Sequence, residues 1–177
     1  MRRDIWEAVA VHPSPGCPHR GFLVAGPWRL PVALGRTGIR ADKREGDGAT
    51  PRGTFRPVRV WWRPDHGPRP RTALPLRRIR PDDGWCDDPA HPRYNRPVTR
   101  PFPASHEEMW RQDALYDLVI ELDHNRRPRI ARRGSAVFIH LARPDYAPTA
   151  GCVALRRPDL ARLLRHLGPK TRIRIHP

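Results

Sequence analysis

The sequence predicts a β-rich α+β fold, a sandwich or barrel of short strands with a few short helices and one long loop insertion. Three observations predict it. About seven short apolar segments read as strands and only two as helices, and the strands do not alternate with long helices as they would around a parallel sheet. The chain has 177 residues, the length of a single domain able to bury its own core. It carries 23 Pro, which calls for long Pro-rich surface loops around that core.

The elements follow in order. Ile5–Val11 reads as a strand, and His12–Pro18 as a turn-rich break. Phe22–Ala25 and Trp28–Leu34 read as a hairpin about Gly26-Pro27. Gly35–Gly53 is Gly-rich and charged, hence a loop. Thr54–Trp62 is a strand in which Pro57 requires an edge or a bulge. Arg63–Pro103 is a long irregular stretch, and loops beyond about 12–15 residues are usually functional or disordered. Because it carries Trp85, Cys86, Tyr94 and Asn95, it reads as an ordered insertion beside a site, within a single domain spanning 1–177. Ser105-His106-Glu107-Glu108 has the capping-box pattern that starts a short helix. Leu115–Asp123 and Ser135–Leu141 are strands. In the second, Ala136, Phe138 and His140 share one face and Val137, Ile139 and Leu141 the other. Pro158–Leu167 is a helix with Pro in its first turn, an apolar stripe of Leu160, Leu163, Leu164 and Leu167, and Gly168 as its stop. Thr171–His176 closes the chain as a strand.

Composition excludes several classes. Mean hydropathy is −0.73. No apolar run approaches the roughly 18–20 residues that cross a bilayer, and there is no Gly-X-Y period, heptad or repeated block. The formal net charge is +16, and nearly all of the basic residues are arginine. Arginine grips phosphate and carboxylate in a fork. These arginines are scattered, with few aromatics interleaved, so a nucleic-acid platform is the weaker reading and carboxylate-rich ligands or an anionic envelope fit as well. A basic polyanion-binding module remains the non-enzyme alternative.

The three cysteines, Cys17, Cys86 and Cys152, leave at least one unpaired, and a Cys17–Cys86 disulfide stays open. There is no C-x-x-C or H-E-x-x-H to ligate zinc. The N-terminal residues lack the apolar stretch of a secretory signal, which by itself reads as cytoplasmic.

The chemistry concentrates near the C-terminus. A strand delivers His140, a Pro-containing loop follows, and Thr149-Ala150-Gly151-Cys152 turns into a short apolar segment twelve residues after the histidine. A loop of that size folds back and brings imidazole to thiol. An adjacent imidazole activates a cysteine, and the Gly151 and Cys152 backbone N–H groups suit an oxyanion hole for acyl transfer. In papain-like and NlpC-type peptidases the cysteine precedes the histidine. Sortases separate the pair much more widely and use a different turn around the cysteine.

The segment from His140 to Cys152 resembles the catalytic motif of the L,D-transpeptidase (YkuD-type) family, and Thr50-Pro51-Arg52-Gly53-Thr54-Phe55 resembles that family's Thr-Pro-x-Gly-x-Phe segment. Pro31–Gly35 resembles the strand that precedes it, so the likeness runs from about Leu30 to the C-terminus. It implies the β-rich L,D-transpeptidase fold and acyl transfer on peptidoglycan stem peptides. Cys152 is then the nucleophile and His140 the base and acid, with a backbone carbonyl orienting the imidazole. Water in place of the acceptor amine would give carboxypeptidase or endopeptidase activity. No metal or organic cofactor is implied. The implied partners are muropeptides rather than nucleic acid, for a monomer working in the periplasm. Tyr146 and Thr149 in the catalytic loop, Tyr94 and Asn95 in the insertion, and His124-Asn125 after a strand are the expected substrate contacts. Arg143 is expected to meet a stem carboxylate. The chain departs from the family pattern at Leu141, Ala150 and Ala154 and adds its Arg/Pro-rich insertion, which suggests a divergent proteobacterial branch and a cross-link through the first stem residue rather than the third.

Overall fold

The computed structural model describes residues 4–176. Strands β1 (Ala8–Ser14), β2 (Cys17–Ala25) and β3 (Trp28–Ala33) form an antiparallel meander, its second turn at Gly26-Pro27. The first strand runs three residues beyond the expected Val11, because His12, Pro13 and Ser14 still pair with β2 across a bulge. The Gly-rich segment holds a small parallel pair, β4 (Ile39–Arg40) with β5 (Thr50–Pro51). The expected Thr54–Trp62 strand is split at Arg56 into β6 (Gly53–Phe55) and β7 (Pro57–Trp62). The insertion is ordered as β8 (Leu76–Arg78), β9 (Asp83–Cys86) and β10 (Arg96–Thr99). Then come β11 (His106–Glu108), β12 (Leu118–Leu122), β13 (Phe138–Leu141) and β14 (Val153–Leu155). Helix α1 (Arg157–Leu163) tightens into a 3-10 turn over Leu164–His166, and β15 (Arg172–Ile175) follows.

Ten strands form one mixed sheet in the order β6-β15-β1-β2-β3-β14-β13-β12-β7-β8. One residue, Arg56, joins β6 at one edge to β7 next to the other edge, so the sheet curls upon itself. Reciprocal bonds fix that corner: Arg56 N donates to Asp123 Oδ1 at 2.8 Å and Asp123 N to the Arg56 carbonyl at 3.1 Å. Pro57 sits where the β7–β12 register shifts, the bulge its missing N–H requires.

Side-chain alternation divides the core in two. Val137, Ile139 and Leu141 join a cluster that includes Leu160, Leu163, Leu164 and Leu167, all four fully buried. Ala136 and Phe138 face the other way, into a cluster with Trp61, Trp85, Tyr116 and Cys152. Trp85 comes from a separate three-stranded sheet, β10-β9-β11, and its ring stands edge-on to Phe138 at 5.0 Å. The insertion thus supplies the lid of the second cluster.

The capping-box segment is a strand, not a helix. His106–Glu108 pairs antiparallel with Cys86–Gly84, and the Ser105 carbonyl accepts from Asp87 N at 3.2 Å. The pattern lacks a following apolar stripe, so sheet pairing around Trp85 outweighs local capping. All three cysteines are free thiols, which settles the open Cys17–Cys86 pairing.

Candidate active site

His140 reaches the second cluster because it shares a face with Phe138 on β13, an interior strand. It is 6% exposed. Its Nδ1 lies 2.9 Å from the Leu141 carbonyl. A carbonyl only accepts, so Nδ1 carries the proton and Nε2 keeps its lone pair. The Tyr116 ring stands edge-on to the imidazole at 5.2 Å. Burial, only partly opposed by the Leu141 bond, lowers the His140 pKa to about 4. The imidazole is therefore neutral.

The loop after β13 returns the chain as β14, parallel to β13, with Ile139 opposite Val153 and His140 opposite Ala154. Cys152 precedes β14 and so lies beside Phe138. Its thiol donates to the Ala136 carbonyl at 3.2 Å, and Phe138 N donates to its sulfur at 3.4 Å. Burial, with a smaller contribution from the Glu107 charge, raises the thiol pKa to about 12. The resting pair is a neutral thiol and a neutral imidazole.

The turn before Cys152 is tied on both sides. Thr149 Oγ1 donates to the Cys152 carbonyl at 2.7 Å and accepts from Gly151 N at 3.1 Å. The Gly151 amide, expected to point at an oxyanion, is thus engaged by Thr149. Thr50 Oγ1 reaches the same Cys152 carbonyl at 3.4 Å and accepts from Gly35 N at 2.8 Å. The Thr-Pro-x-Gly-x-Phe segment thereby braces the Cys152 turn from beneath. Gly151 has φ +146°, and a Cβ there would lie 2.7 Å from the Ala49 carbonyl oxygen, so no larger residue fits.

His140 and Cys152 line one cavity of about 520 Å³. Its wall carries Lys43, Arg111 and Arg143 together with Glu45, Asp87 and Glu107. A buried thiol just before β14 and a tautomer-fixed imidazole on the neighbouring β13, both lining this cavity, are the parts of a cysteine acyltransferase. Residues 25–175 match the L,D-transpeptidase catalytic domain family (YkuD). The chain belongs to that family. It is therefore an L,D-transpeptidase-type enzyme, and the curled, β-rich sheet is this family's fold. No curated protein and no solved structure matches the chain. No helix among the described residues is long and apolar enough to cross a membrane.

The transpeptidase cavity gathers some of the residues expected from the sequence and not others. Arg143, Thr149 and Gly151 line it with His140 and Cys152. Arg143 is 52% exposed, and its ion pair is a loose one to Asp113 at 3.5 Å. Tyr94 lies behind the wall: its hydroxyl donates to Glu45, which also accepts from Ser135 Oγ at 2.8 Å. Asn95 is buried, donating from Nδ2 to the His124 and Asn125 carbonyls at 3.1 and 2.9 Å. His124 Nε2 bonds the Arg133 carbonyl at 2.9 Å, and Asn125 binds the Ile130 and Gly134 carbonyls, each at 2.9 Å. Both fold the 126–135 loop and lie outside the cavity lining. Tyr146 also stands outside it, under the Arg156 guanidinium at 5.3 Å.

Sequence reasoning missed Lys43, Glu45, Asp87, Glu107, Arg111 and Tyr116. Lys43 is 6% exposed, with Nζ 2.5 Å from Asp47 Oδ1. Tyr116 donates its hydroxyl to Glu107, whose pKa is raised by burial, that hydrogen bond opposing the rise. No sequence feature points to Glu107, which the capping-box pattern places at the start of a helix.

Proposed function

We propose that this enzyme is a peptidoglycan L,D-transpeptidase working through a thioester on Cys152. The observation that carries the reading is the placement of Cys152 and His140 on one cavity wall, with His140 Nδ1 held by the Leu141 carbonyl so that Nε2 is the basic nitrogen. Cys152 Sγ attacks the carbonyl that follows an L-centre of the donor stem while its proton passes to His140 Nε2. The Cys152 backbone N–H stabilises the tetrahedral oxyanion, joined by Gly151 N–H when the substrate displaces Thr149 Oγ1. His140 then protonates the leaving amine, the C–N bond breaks and the thioester remains. The side-chain amine of a second stem's diaminopimelate attacks the thioester, gives its proton to His140 and releases the thiol. Arg143 and Arg111 take stem carboxylates, and the acidic wall of Glu45, Asp87 and Glu107 receives the incoming ammonium.

The donor register is shifted in this reading. Small residues, Ala150 and Ala154, flank the nucleophile, and Asp87 of the insertion joins Glu107 in the wall. In this reading the carbonyl of the first stem residue, L-alanine, meets Cys152, and the product is a one-to-three cross-link. The work takes place in the periplasm, where cross-linked peptidoglycan lies.

Two measurements test this. Intact mass after exposure to a carbapenem should show one adduct, lost in Cys152→Ala and kept in Cys86→Ala. An adduct on Cys152→Ala overturns the nucleophile. Tandem mass spectrometry of dimers formed from purified disaccharide-peptides reads the linkage. A bond between two diaminopimelates, with alanine still on both sugar-linked stems, overturns the shifted register. Monomers shortened without dimers would make the enzyme a hydrolase.

A further inference from the structure

A second cleft, of about 340 Å³, lies apart from the catalytic residues. Five arginines line it: Arg59 on β7, Arg96 on β10, and Arg126, Arg127 and Arg129 on the segment after β12. Its one acid is Glu121, which is already spent. Glu121 Oε1 pairs with Arg126 at 2.7 Å, while Oε2 accepts from Trp61 Nε1 at 3.0 Å and lies 3.2 Å from Arg59 Nε. Among the described residues Arg96, Arg127 and Arg129 have no ion pair and no side-chain hydrogen bond. Arg129 Nε is buried away from solvent with no acceptor.

A desolvated guanidinium N–H without an acceptor costs free energy, and a second and third arginine beside it raise that cost. Burial, followed by the charges of Arg96 and Arg126, lowers the Arg129 pKa from its ordinary value. An anion in the cleft would neutralise this crowded positive charge and give the exposed guanidinium nitrogens an acceptor. The three unpaired donors approach from β10 and from the loop after β12, on two sides of the cleft, so they match a tetrahedral group with oxygens in several directions better than a flat carboxylate. The cleft is also larger than one phosphate, leaving room for the group that carries it.

We propose that this cleft is a phosphate-binding site in which Arg96, Arg127 and Arg129 hold the phosphate group of a phosphate ester. The ester is a soluble metabolite or the headgroup of an anionic lipid, and the two differ in what must follow the phosphate out of the cleft.

Isothermal titration with inorganic phosphate and glycerol 3-phosphate should show one saturable site per chain. Arg129→Ala and Arg96→Ala, neither of which removes a protein hydrogen bond, should weaken it at least tenfold with melting unchanged. Arg165→Ala removes the same charge from the exposed end of the helix and should leave binding intact, as should Cys152→Ala. Absent saturation, or equal loss in Arg165→Ala, overturns the site. Malonate binding more tightly than glycerol 3-phosphate overturns its assignment to phosphate. Co-sedimentation with phosphatidylglycerol vesicles, against phosphatidylcholine, separates the sources. Retention lost in Arg129→Ala alone assigns the lipid headgroup. Equal retention in Arg129→Ala and Arg165→Ala assigns the soluble ester.

Discussion

Asn95 Oδ1 accepts a hydrogen bond from the backbone N–H of Ala136 at 3.1 Å, and the carbonyl of that same Ala136 accepts the Cys152 thiol at 3.2 Å. The insertion therefore reaches Cys152 through a single residue. Ala136 has φ +50°, a left-handed conformation that a non-glycine residue adopts only when its surroundings hold it there. Asn95 holds it with a full set of bonds, its Oδ1 accepting also from Trp85 Nε1 at 3.0 Å.

Asn95→Ala leaves two buried N–H donors without acceptors, at roughly 1–3 kcal/mol each. The expected outcome is a loss of about 3 kcal/mol in stability, read by urea unfolding. Because Asn95 positions Cys152 rather than touching the stem, kcat should fall while KM holds. A raised KM with unchanged stability would instead make Asn95 a substrate contact.

His140 gives the fold a pH dependence. Its folded pKa, about 4, lies below the ordinary 6.5, so between those values the unfolded chain binds a proton that the native protein excludes. Stability contributed by the neutral imidazole is complete above pH 6.5 and falls as pH drops toward 4, an integrated loss of about 3 kcal/mol. His140→Asn, whose amide can still donate to the Leu141 carbonyl, should flatten this part of the curve. Urea midpoints of both proteins from pH 7 to 4 measure it, and parallel curves would show that His140 does not drive the loss.

The pathway to the site was legible where local chemistry and periodicity agreed. Alternation along Ser135–Leu141 put His140 on the face of Phe138, which is where the second cluster lies. Pro57 announced its bulge. The wall of the cavity was illegible for a different reason. Glu107 faces it because β11 pairs with β9, a contact about twenty residues away that no local pattern encodes. The same Ser105-x-x-Glu108 spacing that caps helices elsewhere is here read by Trp85's sheet. Asn95 is expected at the substrate because it sits with Trp85 and Tyr94 in an insertion that reads as lying beside a site, yet its four partners are all protein groups that need satisfying.

Alkylation should report the buried thiol. With its pKa near 12, Cys152 is almost entirely protonated at pH 7, and only the thiolate reacts. Iodoacetamide should modify half-buried Cys17 well before Cys152, and the Cys152 rate should keep climbing about tenfold per pH unit past pH 9. Peptide mapping over time gives both rates. Cys152 reacting first at neutral pH would mean a preformed thiolate–imidazolium pair.

The last prediction separates Glu107 from the rest of the wall. Its carboxylate raises the Cys152 pKa, second only to burial. Tyr116 donates to it and has its own pKa raised, by burial first, so the phenol keeps its proton and remains a donor. Glu107→Gln removes the charge but retains an acceptor for Tyr116, whose ring must stay against His140 and Phe138. The thiol should become more acidic, and its alkylation at pH 8 faster by roughly two- to tenfold, the effect of up to one pKa unit. Tyr116→Phe serves as the contrast. It keeps the ring, strips the bond that stabilises the Glu107 carboxylate, and should raise the Glu107 pKa further. In that variant the difference from Gln should shrink as pH falls and Glu107 takes up its proton. Identical alkylation rates in Glu107→Gln and the parent at pH 8 would show that the charge does not reach the sulfur.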